Sequence, residues 1–244
     1  ILTAGGTPQE TDPLYPLTLG QPKALLEIAG KPMVQWALDA LAAAQTVGEV
    51  VLVGLPEDAL VHYPRRLTRI ASQGDMVSNI MAGSRTLQAH GSTSPYALVM
   101  ASDVPAVTPA MIDWMVAQML AWQCDLIYTV VSQPVMEKRF PGAKRSYIPM
   151  RDLSVCGGDV NAFCLKTVTD ENPIWRKLIE NRKNALKQAA LLGLDTLFLI
   201  AIRALTLQQA EERISQRLGL RGKVLPSPYA EMAMDVDKPN QFAL

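Results

Sequence analysis

Short apolar runs and longer amphipathic runs alternate along the first two thirds of the chain. Residues 49–54 (EVVLVG), 96–101 (YALVMA) and 125–131 (DLIYTVV) are rich in β-branched and apolar side chains and predict strands. The opening Ile1-Leu2-Thr3-Ala4 predicts another, ending in the pair Gly5-Gly6. Residues 32–45, 76–89 and 108–122 carry apolar positions at helical spacing. Strand–helix–strand alternation predicts a parallel or mostly parallel sheet covered by helices on both faces. Ligands on such sheets bind beyond the carboxyl ends of the strands. Gly5-Gly6 and Ser102-Asp103 lie at two such ends, and Asp235, near the C-terminus, is a third candidate.

The pattern changes after residue 170. Residues 173–218 are helical in character, in segments 174–192, 194–205 and 206–218. Thr206 followed by Gln209 predicts a capping box, and Gly193 and Gly219 suit helix C-terminal positions. The apolar run 191–202 is interrupted by Asp195 and followed by Arg203. A spanning helix needs about 20 apolar residues, so a buried or dimer-forming helix is expected. An interfacial membrane helix and a wall for an apolar substrate are the alternatives.

A length of 244 residues suits one α/β domain over 1–244 with a helical insertion at 170–222. Hydrophobic residues at 49% against 19% charged allow a sizeable core and exclude global disorder. Zero formal net charge offers no argument for nucleic acid or an anionic membrane as partner. Cys124, Cys156 and Cys164 have neither CxxC nor His-paired spacing, and we expect reduced thiols in a cytoplasmic protein. The chain opens on a strand without an initiator Met or a signal-peptide pattern, so we expect a few natural residues to precede it.

Candidate chemistry gathers at the strand ends. Glycines let backbone N–H groups approach phosphate oxygens, and a lysine such as Lys23 offers a point charge to a triphosphate. Asp103 ends a strand before Pro105, where a carboxylate suits Mg²⁺, which prefers carboxylates plus substrate phosphate oxygens. In an extended segment, Asp235 and Asp237 fall on the same side. His62 and His90 lie far from these acids and are expected on the surface or in loops. Neither a Walker A motif nor a nucleophile elbow occurs.

The Gly5-Gly6 turn, Pro16-Leu17-Thr18, Pro22-Lys23 and Gly30-Lys31-Pro32-Met33 together resemble the MobA-like and sugar-phosphate NTP transferases, a nucleotidyltransferase family. The resemblance covers residues 1–165 and 223–244. It implies a three-layer Rossmann-like fold of the GT-A-like type and transfer of a nucleoside monophosphate from an NTP to a phosphorylated small-molecule acceptor, with Mg²⁺ as cofactor. It implies catalytic roles for Lys23 and Asp103. Nucleotide binding falls to Ala4, Gly5, Gly6, Lys23, Ser78 and Asn79. Asn161, Asp159 and Glu231 become acceptor-side residues, and Asp103, Asp235 and Asp237 metal ligands. Lys31 either contacts a ligand or presents its charge at a helix start. One departure stands out: Pro13 occupies the place of the family's loop arginine, in a longer loop carrying Glu10. A nucleotide-sugar glycosyltransferase, a non-catalytic nucleotide-binding regulator and an assembly protein using the helical insertion therefore stay open. A homodimer through that insertion is expected.

Overall fold

The computed structural model describes residues 1–168, 174, 177 and 190–242. The first half runs β1 (Leu2–Thr3), α1 (Tyr15–Thr18), the hairpin β2 (Glu27–Ile28) and β3 (Lys31–Pro32), α2 (Met33–Ala43), β4 (Glu49–Val53), β5 (Arg66–Ile70), α3 (Met76–Ala89), β6 (Tyr96–Ala101) and α4 (Pro109–Trp122). β1 lies between β4 and β6 and is parallel to both, and β5 continues the parallel set beside β4. Period-2 alternation divides β4 between two cores. Val50 and Leu52 join Leu38 of α2 and Ile112 and Met115 of α4 on one face. Val51 and Val53 join Met81 and Leu87 of α3 on the other. Fully burying each such side chain stabilises the fold by about 1.5–3 kcal/mol relative to exposure. Helices therefore cover both faces, as expected.

The second half contains β7 (Leu126–Ser132), α5 (Gln133–Arg139), β8 (Ile148–Pro149), β9 (Ser154–Gly157), β10 (Val160–Cys164), α6 (Leu194–Ala201), α7 (Leu207–Leu218), β11 (Gly222–Ser227) and α8 (Pro239–Phe242). The nine-stranded sheet has the order β5-β4-β1-β6-β10-β7-β9-β8, with β11 also paired to β7. β10 is antiparallel to both β6 and β7, β9 is antiparallel to β7, and β8 is antiparallel to β9. β11 returns parallel to β7. The sheet is thus mixed rather than mostly parallel. Parallel neighbours need a long crossover, whereas strands joined by turns run antiparallel. β8 and β9 are joined by a short loop and pair antiparallel, while β9 and β10 run in one direction along β7, on either side of Gly158 and Asp159.

Residues 157–159 shape this region. A Cβ at Gly157 would stand 2.5 Å from Tyr128 Oη, and one at Gly158 3.0 Å from the Thr129 carbonyl. The two glycines leave room for this close passage over β7. Asn161 braces the bend, accepting from Thr129 N at 2.8 Å and donating to the Gly158 carbonyl at 3.1 Å.

The expected capping box is formed: Thr206 Oγ1 accepts from Gln209 N, and the Gln209 side chain accepts from Thr206 N. Gly219 ends α7 in the left-handed conformation. Glu211 then anchors α7 to β11 by accepting from Val224 N at 2.7 Å. Most of the helical run expected at 174–192 lies outside the described residues. Cys124, Cys156 and Cys164 are free thiols. Among the described residues, no helix is long and apolar enough to cross a membrane.

Candidate active site

A cleft of about 290 Å³ opens at the carboxyl ends of β1 and β6. Its floor is the turn after β1. Ala4 N donates to the Val53 carbonyl at 2.8 Å, and Lys23 N donates to the Gly6 carbonyl at 2.9 Å, closing the loop of residues 7–22. Gly5 packs against Gly54, which has φ +91°, and a Cβ at Gly54 would come within 2.6 Å of Gly5 Cα. At Gly6 a Cβ would meet nothing within 4 Å, so the backbone there faces open space. Pro13 is exposed, and neighbouring Leu14 is buried against Met33 and Val236. Residues 7–22 contain no Lys or Arg.

Three carboxylates converge at one end of this cleft. Asp103 follows β6, and Val236 N donates to its carbonyl at 3.0 Å. That bond seats the C-terminal segment beside it. With Val236 turned into the core, Asp235 and Asp237 flank it on the other side. One oxygen from each of Asp103, Asp235 and Asp237 lies within 4.8 Å of the others. Lys23 Nζ pairs with Asp103 Oδ2 and with Asp237 Oδ1. Burial works against the ammonium, but Asp103 and Asp237 outweigh it and hold the Lys23 pKa above its ordinary value. Arg145, from the loop between α5 and β8, pairs through Nη1 with Asp235 Oδ1.

Asp159 sits behind this group. Burial, reinforced by the nearby Asp103, pushes its carboxyl up to about 7 against the pull of Arg145. Asp159 Oδ2 and Asp103 Oδ1 are buried and accept no hydrogen bond from the protein. Buried acceptors without donors are uncommon and ask for an explanation. A hard cation supplies one: it takes oxygen ligands, and Asp103, Asp235 and Asp237 present them at one point. The donor set fits Mg²⁺.

The other expected residues divide. Ala4, Gly5, Gly6, Lys23, Asn79 and Asp103 all line the cleft. Ser78 does not line it. Its hydroxyl donates to Asp75 Oδ2 at 2.7 Å and its N–H to Asp75 Oδ1 at 3.0 Å, so it serves the cap of α3. Asp75, Ser72 and Gly74 line the cleft there, and Asn79 holds their turn by accepting from Gln73 N at 2.7 Å. Asn161 has both ends of its amide engaged in the bend over β7. Glu231 pairs with Arg139 Nε at 2.7 Å. Lys31 pairs with Asp39 and lies 3.9 Å from the centre of the Trp36 ring, so its charge stays at the start of α2. His90 lies in the turn that ends α3, as expected, and its Nδ1 sits 2.9 Å from Glu49 Oε2. Sequence reasoning missed Arg145, which has no motif around it; the charge of the acids it meets was the only signal.

The mixed α/β sheet matches nucleotidyltransferase structures in fold. The 4-diphosphocytidyl-2C-methyl-D-erythritol synthase of Anaerococcus prevotii superimposes with TM-score 0.61 at 11% identity, covering 99% of this chain and 91% of that one. CMP:2-keto-3-deoxy-manno-octonic acid synthetase complexed with CTP gives 0.54 at 12% identity, covering 98% and 92%. A hypothetical transferase from Thermus thermophilus is nearer, with TM-score 0.80 and 29% identity over 99% of this chain and 97% of that one. No curated protein matches the sequence significantly. The MobA-like NTP transferase domain matches residues 16–219, and the chain belongs to that family.

Proposed function

We propose that this chain transfers a nucleoside monophosphate from an NTP to a phosphorylated small-molecule acceptor and releases pyrophosphate. An acceptor phosphate oxygen attacks the α-phosphorus, and the bond from that phosphorus to the pyrophosphate oxygen breaks. The observation that carries this reading is the meeting of Asp103, Asp235 and Asp237 with Lys23 at the mouth of the Gly5-Gly6 turn. Backbone N–H groups at the open Gly6 turn would bind phosphate oxygens. Ser72, Asp75 and Asn79 would meet the nucleoside, and Asp159 and Glu231 the acceptor. Asp103 and Asp235, with Asp237 beside them, would hold Mg²⁺, which when bound neutralises charge on the triphosphate. Lys23 is neutralised by Asp103 and Asp237 in the free protein and would turn to the phosphates once those carboxylates are otherwise engaged. The fold needs no covalent intermediate for this chemistry; positioning and charge neutralisation suffice.

The test is pyrophosphate release from ATP, CTP, GTP and UTP against a panel of phosphorylated acceptors. CTP comes first because one structural neighbour is a synthetase complexed with CTP and another a 4-diphosphocytidyl-2C-methyl-D-erythritol synthase. Pyrophosphate release dependent on one acceptor supports the reading. Hydrolysis of a nucleotide sugar without pyrophosphate would instead identify a glycosyltransferase. A regulator is the second reading, favoured by the absence of Lys and Arg from residues 7–22; its mark is nucleotide binding without turnover. The free thiols suit a cytoplasmic setting.

A further inference from the structure

Among the described residues, Lys23 is the only basic side chain lining the cleft over Gly5-Gly6. A triphosphate carries several negative charges, and one ammonium is a thin counterweight. Arg145 stands on the far side of the acids. Its Nη1 is held by Asp235 Oδ1. Its Nε is buried and has no hydrogen-bond partner. Arg145 further lines a second cavity of about 430 Å³, together with Lys144 of the same loop. The arginine therefore forms the wall between the carboxylate trio and that second cavity.

An ion pair that only neutralised Asp235 would not require this placement. A guanidinium is a planar fork of N–H donors that matches phosphate oxygens in pairs. Here that fork stands beside three carboxylates able to take a divalent cation, with a donor left over. When a cation engages Asp235, the arginine loses the partner that now holds it.

We propose that Arg145 is a phosphate-binding residue of this site, held on Asp235 in the free protein and passed to the substrate's phosphate oxygens when a divalent cation and a triphosphate arrive. This rests on the nucleotidyltransferase reading above. It makes a demand with opposite signs: Arg145 competes with the cation for Asp235 and cooperates with the phosphate.

Mn²⁺ alone and inorganic tripolyphosphate with Mg²⁺ are titrated against the wild type, Arg145→Gln and Lys23→Ala by calorimetry. Arg145→Gln should bind Mn²⁺ alone more tightly than the wild type, and tripolyphosphate about tenfold more weakly. Arg145→Lys, which keeps a charge without the fork, should recover part of the tripolyphosphate affinity and serves where Arg145→Gln folds poorly. Asp235→Asn frees the arginine without altering it: in EDTA this variant should bind tripolyphosphate more tightly, and adding Arg145→Gln should cancel that gain. Tripolyphosphate binding that Lys23→Ala weakens and Arg145→Gln leaves unchanged would overturn the role of Arg145 alone. A wild type that binds neither tripolyphosphate nor any NTP would overturn the nucleotidyltransferase reading, and this inference with it.

Discussion

Lys23 is the residue on which the free site balances. Its ammonium sits between Asp103 and Asp237, with Asp235 close by, and raised affinity for its proton follows from those acids. Removing it leaves carboxylates crowded in a partly buried place with Arg145 as the nearest remaining counter-charge. We therefore expect Lys23→Ala to lower the melting temperature in EDTA and Mg²⁺ to restore it, with a larger Mg²⁺-dependent rise than in the wild type, because a ligand that binds only the folded state stabilises it. Thermal unfolding with and without Mg²⁺ checks this. Equal, negligible Mg²⁺ shifts in both proteins would sink the metal assignment. NTP affinity in the same variant should fall about 10–100-fold, the scale of a charge-assisted hydrogen bond of about 1.5–3 kcal/mol. Lys23 and Asp103 were legible in the sequence because each borders a distinctive local pattern, a Pro-Lys pair and a strand end. Arg145 was not, since an arginine in a loop carries no local mark; only the tertiary meeting with Asp235 reveals it. Ser78 misled for the opposite reason. It sits in the right segment, but local hydrogen bonds to Asp75 claim its donors, as short polar side chains at helix starts commonly do.

At the scale of elements, the glycine turn after β1 depends on a glycine that follows β4. Gly54 adopts φ +91°, and its missing side chain is where Gly5 lies. Gly54→Ala would add strain from the left-handed backbone and a clash with backbone atoms, neither of which a neighbouring rotamer can relieve. We predict a loss of stability above about 1 kcal/mol, measured by denaturant unfolding, with weakened NTP binding in the fraction that stays folded. A stable variant with wild-type NTP affinity would show that the Gly5-Gly54 contact does not set the turn. The parallel strands β1, β4 and β6 and helices α2, α3 and α4 were foreseen, because each long periodic segment is bounded by turn residues. The strands β8, β9 and β10 were not foreseen as a set. They are two to five residues long and too brief to show a period. β11 hid behind Pro226, which reads as a strand breaker; it lies beside β7 alone, at an edge where a missing N–H is tolerated. These omissions are why the sheet was expected to be mostly parallel.

For the whole molecule, the open question at the surface is α6. Thr196 faces inward, Leu199 and Ile200 pack onto a small core with Leu205 and Ala210, and Leu194, Phe198 and Ile202 form an exposed apolar stripe at i, i+4 and i+8. Such a stripe suits the homodimer expected from the sequence, since apolar patches on soluble proteins commonly mark contacts and two-fold pairs are the commonest assemblies. Light scattering should give a dimer for the wild type and a folded monomer of unchanged melting temperature for Phe198→Asp; a monomeric wild type contradicts the dimer. The assignment of the site rests on Asp103, Asp235 and Lys23, which meet although at least 80 residues separate any two of them in sequence. Its most direct test is a crystal structure of the protein soaked with Mg²⁺ and each of the four NTPs. One ion should be held with Asp103 and Asp235 oxygens about 2.0–2.1 Å away, and a triphosphate should lie over Gly5-Gly6 within reach of Lys23. A nucleotide bound elsewhere, with these carboxylates still closed on Lys23 and Arg145, would contradict that assignment.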